Sequence, residues 1–214
     1  MVGDGMKALH KDFWMEIRKS KARFISIFLI VALGVAFFSG IQASSPDMRY
    51  SGDAYYEAAK LMDLKIQGTL GLTQRDVKAV SDIDGVELAE GGYSTDVMSG
   101  EDDARKVLHL ESISSNFNLL TADEGRIPEK SGEIFLDKPF AKNRGYKIGD
   151  TIAVSEDGDS ELLKKTTYTV VGIGSSPLYI SFNRGNTTLG SGEISGFGYI
   201  LPEDFDPEAF TQIY

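Results

Sequence analysis

No charged side chain occurs between Arg23 and Asp47. This restricts the fold more than any other feature, because the strongly apolar part of the run extends without interruption from Phe24 to Ile41. As a helix it would measure roughly 27 Å, close to the roughly 30 Å hydrocarbon core of a bilayer, and residues 42–46 can carry the chain through the interface. A core helix of a soluble domain would show a polar stripe every three to four residues, and none is present. A cleaved export signal is the stronger competitor, but its apolar stretch is about 7 to 15 residues behind a short basic start. Here the whole segment 1–23 precedes the run, and Ile41-Gln42-Ala43 is a weak cleavage site. A retained transmembrane helix over 24–46 is the favoured reading.

The flanking charges give the span a direction. Lys7, Lys11, Arg18, Lys19, Lys21 and Arg23 precede it against Asp4, Asp12 and Glu16, a balance of +3. The chain as a whole carries −10, so the remainder carries −13. Basic flanks stay in the cytoplasm. The expectation is a cytoplasmic segment over 1–23, a single span in the cell membrane, and an extracytoplasmic domain over 47–214. Phe13, Trp14 and Ile17 share one helical face of the N-terminal segment and form a candidate cytoplasmic interface, lying under the headgroups or receiving movement from a partner. Within the span, Ala32, Ala36 and Gly40 recur every fourth residue, a ridge that lets another transmembrane helix pack closely.

The chain from Asp47 to Tyr214 is long enough for one core or two small subdomains. The sequence has no cysteine, which removes disulfides, thiolate metal sites and cysteine nucleophiles, and fits a bacterial envelope. Its acidity argues against nucleic acid as a partner, since phosphate backbones need clustered Lys and Arg. Periodicity and turn chemistry predict a mixed α+β domain. A short helix is expected over Asp53–Met62 with Asp53 as N-cap, then a strand at Leu64–Gln67. A capping box with Asp in place of Glu, Thr73–Asp76, opens a helix to about Ile83, with Val77, Val80 and Ile83 on one face. A strand over 86–98, broken at Gly91-Gly92, completes a βαβ-type unit. Further strands are expected at Lys106–Ile113, Glu133–Leu136, after Gly149-Asp150, and at Lys164–Gly174. Residues Ser175 to Gly198 read as a Gly- and Ser-rich loop, Tyr199–Leu201 as a last strand, and the residues after Phe205 receive no element.

No catalytic, cofactor-binding or metal-ligating residue emerges, and an enzyme is not expected. Gly125 to Ser131 resembles a phosphate loop only loosely, because Lys130, Ser131 and Gly132 are out of order for G-x-x-x-x-G-K-[ST] and Pro128 removes a backbone donor. His10 and His109 are the two histidines and fall on opposite sides of the expected span. His109 alternates with Leu108 and Leu110, which predicts a solvent-facing structural residue. There is no G-x-S-x-G elbow. The clusters Glu101, Asp102, Asp103 and Glu156, Asp157, Asp159 lack EF-hand spacing and read as solvated turns. Asn186-Thr187-Thr188 is a formal glycosylation sequon. In the loop Ser175–Gly192, Tyr179, Ile180 and Phe182 form a candidate exposed contact surface, with packing onto their own domain as the alternative.

The stretches "KARFISIFLIVALGVAFFSGI", "DLKIQGTLGLTQRDVKAV", "GRIPEKSGEIFLDKPFAKNRGYKIGDTIAV" and "YTVVGIGSSPLYISFNRGNTTLGSGEISGFGYI" together resemble the N-terminal part of an FtsX-like, MacB-like permease of an ABC transporter. The segment Gly125 to Val154 carries the recurring pattern of that family: a Gly-Arg-x-Pro turn, a strand, a helix, then Gly-Asp before the next strand. The resemblance implies a first transmembrane helix, a periplasmic core domain of α+β architecture, and further spans beyond Tyr214. It implies a separate cytoplasmic ATPase that binds the ATP, so that no cofactor is held here, and packing against the remaining permease helices or a second permease copy. The alternative is a stand-alone, membrane-anchored binding or sensor domain.

Overall fold

The computed structural model describes residues 3–100, 105–156, 162–181, 183–206 and 209–214, with side chains from His10 onward. The chain divides into two units, Met1–Tyr55 and Tyr56–Tyr214. Helix α1 (Gly3–Lys19) ends on Arg18 and Lys19, cations suited to the negative end of a helix dipole. Helix α2 (Lys21–Ala58) has 38 residues and spans about 57 Å. None of its residues is buried, and among the described residues it is the one helix long and apolar enough to cross a membrane.

The separate helix expected from Asp53 does not exist. Helix α2 runs through Pro46 and Asp53 without a break, so Asp53 caps nothing. An internal proline removes one backbone bond, but no left-handed residue follows until Lys60 (φ 48°), and that is where the helix stops. Its end is a Schellman motif with lysine in the position usually given to glycine: Leu61 N–H reaches Tyr56 C=O at 3.0 Å and Lys60 N–H reaches Glu57 C=O at 3.1 Å. The carbonyls of Ala59 and Lys60, just past the helix, accept the N–H groups of Leu119 (2.8 Å) and Asn118 (2.9 Å). Asn118 Oδ1 in turn accepts Met62 N–H at 3.1 Å. The carbonyls of Tyr56, Glu57, Ala59 and Lys60 are thereby paired inside the second unit.

The second unit contains two sheets. The small one has the order β1-β10-β2, from β1 (Ile66–Leu72), β10 (Phe210–Ile213) and β2 (Gly91–Gly92), with α3 (Gln74–Ser81) between β1 and β2 in sequence. Both outer strands are antiparallel to β10, so β1, α3 and β2 keep the expected βαβ order with β10 between the strands. The strand expected over 86–98 is not one strand: 86–90 has no strand, only Gly91–Gly92 joins this sheet, and Ser94–Ser99 belongs to the large one. The Asp76 carboxylate accepts Thr73 N–H at 2.7 Å, the N3-to-N-cap bond of the capping-box reading, and also accepts the Thr73 hydroxyl at 2.8 Å.

The large sheet has the order β5-β8-β6-β9-β4-β3-β7, and β7 pairs again with β8. Its members are β3 (Ser94–Ser99), β4 (Lys106–Ser112), β5 (Thr121–Gly125), β6 (Glu133–Asp137), β7 (Thr151–Ser155), β8 (Thr167–Ser175) and β9 (Ile194–Ile200). The pairings close a ring of strands in the order β8-β6-β9-β4-β3-β7. Strand β8 makes this possible by its length: Thr167–Thr169 pair with β7, while Gly172–Ser175 hold β5 along the same edge. Inward-facing Val97, Leu108, Leu110, Ile134, Leu136, Ile152, Val154, Tyr168 and Val170 fill the ring, each at most 4% exposed. Helix α4 (Lys138–Arg144) adds Phe140 and Ala141 to this core. Phe135, Phe197 and Tyr199 point to the opposite, outer face.

The turn pattern that carries the family resemblance has a physical reading. Arg126 donates to both oxygens of Glu133 (2.7 and 2.5 Å), and Glu133 also accepts the N–H groups of Glu129 and Lys130. The Arg126 hydrogen bonds come first among the causes that hold Glu133 down at about pKa 2. Gly125 sits at φ +72°, where a Cβ would lie 2.1 Å from Val171 O.

Strand β9 presents Gly196 to Phe140: a Cβ there would lie 2.5–2.8 Å from its side chain. Gly196→Val should therefore lower the unfolding free energy by about 1–3 kcal/mol, as overpacking of a filled core does. Chemical denaturation checks this, and adding Phe140→Leu should recover part of the loss.

Candidate functional site

Strand β4 places Leu108 and Leu110 inside the ring, so His109 and Glu111 fall on the outer face beside Phe197 and Tyr199 of β9. Antiparallel pairing sets Asp96 of β3 directly opposite His109. His109 Nδ1–H donates to Asp96 Oδ1 at 2.5 Å, and its Nε2 lies 3.4 Å from Glu111 Oε1. The same Glu111 oxygen is 3.7 Å from Lys65 Nζ and accepts the Tyr179 hydroxyl at 3.5 Å. Glu111 is 1% exposed. One buried carboxylate thus collects an imidazole from β4, an ammonium from just before β1, and a phenol from the loop after β8.

These contacts set the charges. Burial alone would lower the His109 pKa, but hydrogen bonds to Asp96 and Glu111 and their negative charges raise it to about 9. Burial would raise Glu111, yet the hydrogen bond and charge of His109, then Lys65, hold it below its ordinary value. Asp96 follows the same pattern, with burial outweighed by hydrogen bonds from His109 and the Thr187 side chain. Burial first, and then the Glu111 charge, push the phenols of Tyr179, Tyr199 and Tyr214 upward. The cluster is an imidazolium between two carboxylates at neutral pH. Both ring nitrogens are engaged, so His109 offers no free base or ligand position. Among the described residues no group of three or more His, Cys, Asp or Glu is arranged to hold a metal.

The expectation that His109 faces solvent is overturned. Alternation locates the correct strand face, but a second layer covers that face. The cover is a strap, the segment between β8 and β9. Tyr179 stacks on Phe197 with ring centroids 4.5 Å apart. Arg184 makes a two-point contact with Asp137, Nε to Oδ2 and Nη2 to Oδ1 at 3.0 Å each. Its guanidinium also lies 5.6 Å from the centroid of Phe197 and donates to the carbonyls of Tyr179 and Ser181. Of the three residues expected on an exposed contact loop, Ile180 is exposed, Tyr179 packs on its own domain, and Phe182 lies outside the described residues. Sequence reasoning missed Asp96, Glu111, Asp137 and Arg184. The period-2 pairing of Asp96 with His109 across two strands was the one available signal.

The remaining expected positions are placed as follows. Phe13 and Trp14 are exposed on α1 and Ile17 is half-buried. Ala36 and Gly40 are exposed on α2, Ala32 is partly covered, and Gly40 has open space around it. Glu101, Asp102, Asp103, Asp157 and Asp159 lie outside the described residues. Glu156 accepts the N–H groups of Leu162 and Leu163. A concavity of about 540 Å³ beside the small sheet is lined by Leu64, Ile66, Val80, Leu88, Phe117 and Ile213, among others.

Residues 24–211 match the family model of the MacB-like periplasmic core domain. The chain belongs to that family, in agreement with the resemblance to FtsX-like, MacB-like permeases. The match begins in the apolar helix and ends in β10, so it takes in both units. Among solved structures, the extracellular domain of the noncanonic ABC-type transporter YknZ from Gram-positive bacteria is 11% identical, with a TM-score of 0.43 over 68% of this chain and 73% of that one. The periplasmic region of MacB from Actinobacillus actinomycetemcomitans is 14% identical, with a TM-score of 0.35 over 70% of this chain and 79% of that one. Both scores are below 0.5, and the family assignment rests on the match over 24–211. No curated protein matches the chain.

The cluster predicts an asymmetric pH profile. The raised His109 pKa contributes stability that is fully present below about pH 6.5, the unfolded value, and is lost as pH rises through about 9. The depressed carboxylates contribute stability present above their unfolded values and lost as pH falls below them. Thermal melts between pH 6 and 10 should fall on the alkaline side in the wild type. In His109→Gln that fall should disappear, and a variant retaining it would refute the assignment.

Proposed function

We propose that this chain supplies the first transmembrane helix and the extracytoplasmic core domain of an ABC-transporter permease. A separate cytoplasmic ATPase drives it, for export or for mechanical signalling across the cell membrane. The observation that carries the reading is the family match over 24–211, which takes in the apolar helix and the domain together. The physical features agree with a transmitting rather than a catalytic part. Helix α2 extends about 25 Å beyond Ile41. The two nitrogens of His109 are both spent on carboxylates. In this reading Phe13, Trp14 and Ile17 meet the ATPase side. Ala32, Ala36 and Gly40 pack on the remaining permease helices or a second permease copy.

The absence of cysteine makes the orientation directly measurable. Single substitutions Lys11→Cys and Lys142→Cys, both at exposed positions, are treated in intact cells with a membrane-impermeant maleimide. Lys142→Cys should label at once and Lys11→Cys only after the membrane is opened; the reverse order would contradict the proposed orientation. Affinity purification from native membranes should then bring down an ATPase subunit. Its absence, with the domain correctly oriented, would favour a stand-alone anchored sensor.

A further inference from the structure

The strap, residues 176–181 and 183–193, is attached to the domain in an unusual way. Its described backbone hydrogen bonds close on the segment itself: Tyr179 N–H to Ser176 C=O, Gly192 N–H to Leu189 C=O, and Thr187 N–H to Gly192 C=O. Ile194 N–H, at the start of β9, returns to Gly185 C=O, and Asn186 bridges Glu193. Among the described residues none of these bonds reaches another strand of the ring. What holds the strap down is side chains. Tyr179 stacks on Phe197 and its hydroxyl donates to Glu111, Arg184 clasps Asp137, and the Ser176 hydroxyl is hydrogen-bonded to that of Tyr199. Gly185, Gly190 and Gly192 all have positive φ (117°, 52° and 84°), so the strap's C-terminal part is built of residues with wide backbone freedom. Beneath it Phe135, Phe197 and Tyr199 are at most 2% exposed.

We propose that the strap is a hinged cover that lifts from the outer face of the ring as one piece while the ring stays closed. Lifting uncovers the Phe197 and Tyr199 rings between the carboxylates of Asp137 and Glu111. These side-chain anchorages must break, and among the described residues no inter-strand hydrogen bond of the ring is disturbed. Such a segment opens with a free energy well below that of global unfolding. The Arg184–Asp137 contact is the principal pin, because it is charge-assisted, two-point and largely out of water, with side chains 9% and 2% exposed.

The cysteine-free background supplies the test. Ser176→Cys places a near-isosteric thiol at the strap's root, where Ser176 is 2% exposed and hydrogen-bonded to the Tyr199 hydroxyl at 2.8 Å. Ser99→Cys places one inside the ring, at 0% exposure. Thiol labelling is followed on the full chain in nanodiscs, with and without the double substitution Arg184→Gln, Asp137→Asn. That pair keeps the shapes and removes both charges, so no buried charge is stranded. The Ser176→Cys thiol should react faster than the Ser99→Cys thiol in the wild-type background. Unpinning should accelerate it by roughly tenfold or more, the loss expected for a charged hydrogen-bonded pair, and leave Ser99→Cys unchanged. Two outcomes overturn the proposal: both thiols reacting at one common rate in every background, or unpinning without effect on Ser176→Cys.

Discussion

A carboxylate taken out of water must be met by charge and hydrogen bonds or the fold cannot hold it ionised. Glu111 is 1% exposed, its Oε2 has no hydrogen-bond partner among the described residues, and the groups that meet its Oε1 come from its own strand and from two other parts of the second unit. His109 arrives along the same strand, Lys65 from the approach to the small sheet, and Tyr179 from the strap. Asp96 completes the balance by holding the other side of the imidazole ring. Removing any partner leaves a buried charge short of compensation, so the small sheet, the ring and the strap are tied to one another's placement. A hydrophobic residue at 111 could give the ring as much packing. It would not specify where the small sheet and strap must sit.

The polar link between the sheets continues beside this point. Ser94 N–H donates to the Thr211 hydroxyl at 2.7 Å, at the junction of β3 and β10. The chain's last strand is thus held on both edges, by β1 and β2, and at its side by the ring. The ring needs a different device. It closes because β8 is long enough to serve β7 and β5 in succession. The inward positions of β9 at 196 and 198 are glycines, which leave space for Phe140, Ile134 and Leu110.

The elements with strong local signals were legible in the sequence. Charge exclusion over 24–46 marks the long apolar helix, the capping box marks the start of α3, alternation marks β4, a short apolar run marks β6, and β propensity marks β8. The family's Gly-Arg-x-Pro pattern proves to be a turn closed by Arg126 on Glu133, chemistry that is local and therefore readable. What escapes depends on pairing. Strand β5 reads Thr-Ala-Asp-Glu-Gly, without β propensity, and exists because β8 offers it an edge. Strand β9 is hidden by glycines whose purpose is a side chain far earlier in the chain, Phe140. Strand β10, at the very end of the chain, lies between β1 and β2, which both come from the first half of the sequence. The ionic cluster is half-visible: alternation puts His109 on the correct face of the correct strand, but the strap that covers that face carries no periodic signal.

Glu111 couples three separately built parts, and native-state hydrogen exchange on Glu111→Gln tests that coupling most directly. Amides of β1, β10 and the strap should lose protection together, while those of β6 and β8, deep in the ring, keep theirs. Uniform loss across all strands would make Glu111 an ordinary core residue. Unchanged protection in the small sheet and strap would contradict the coupling outright.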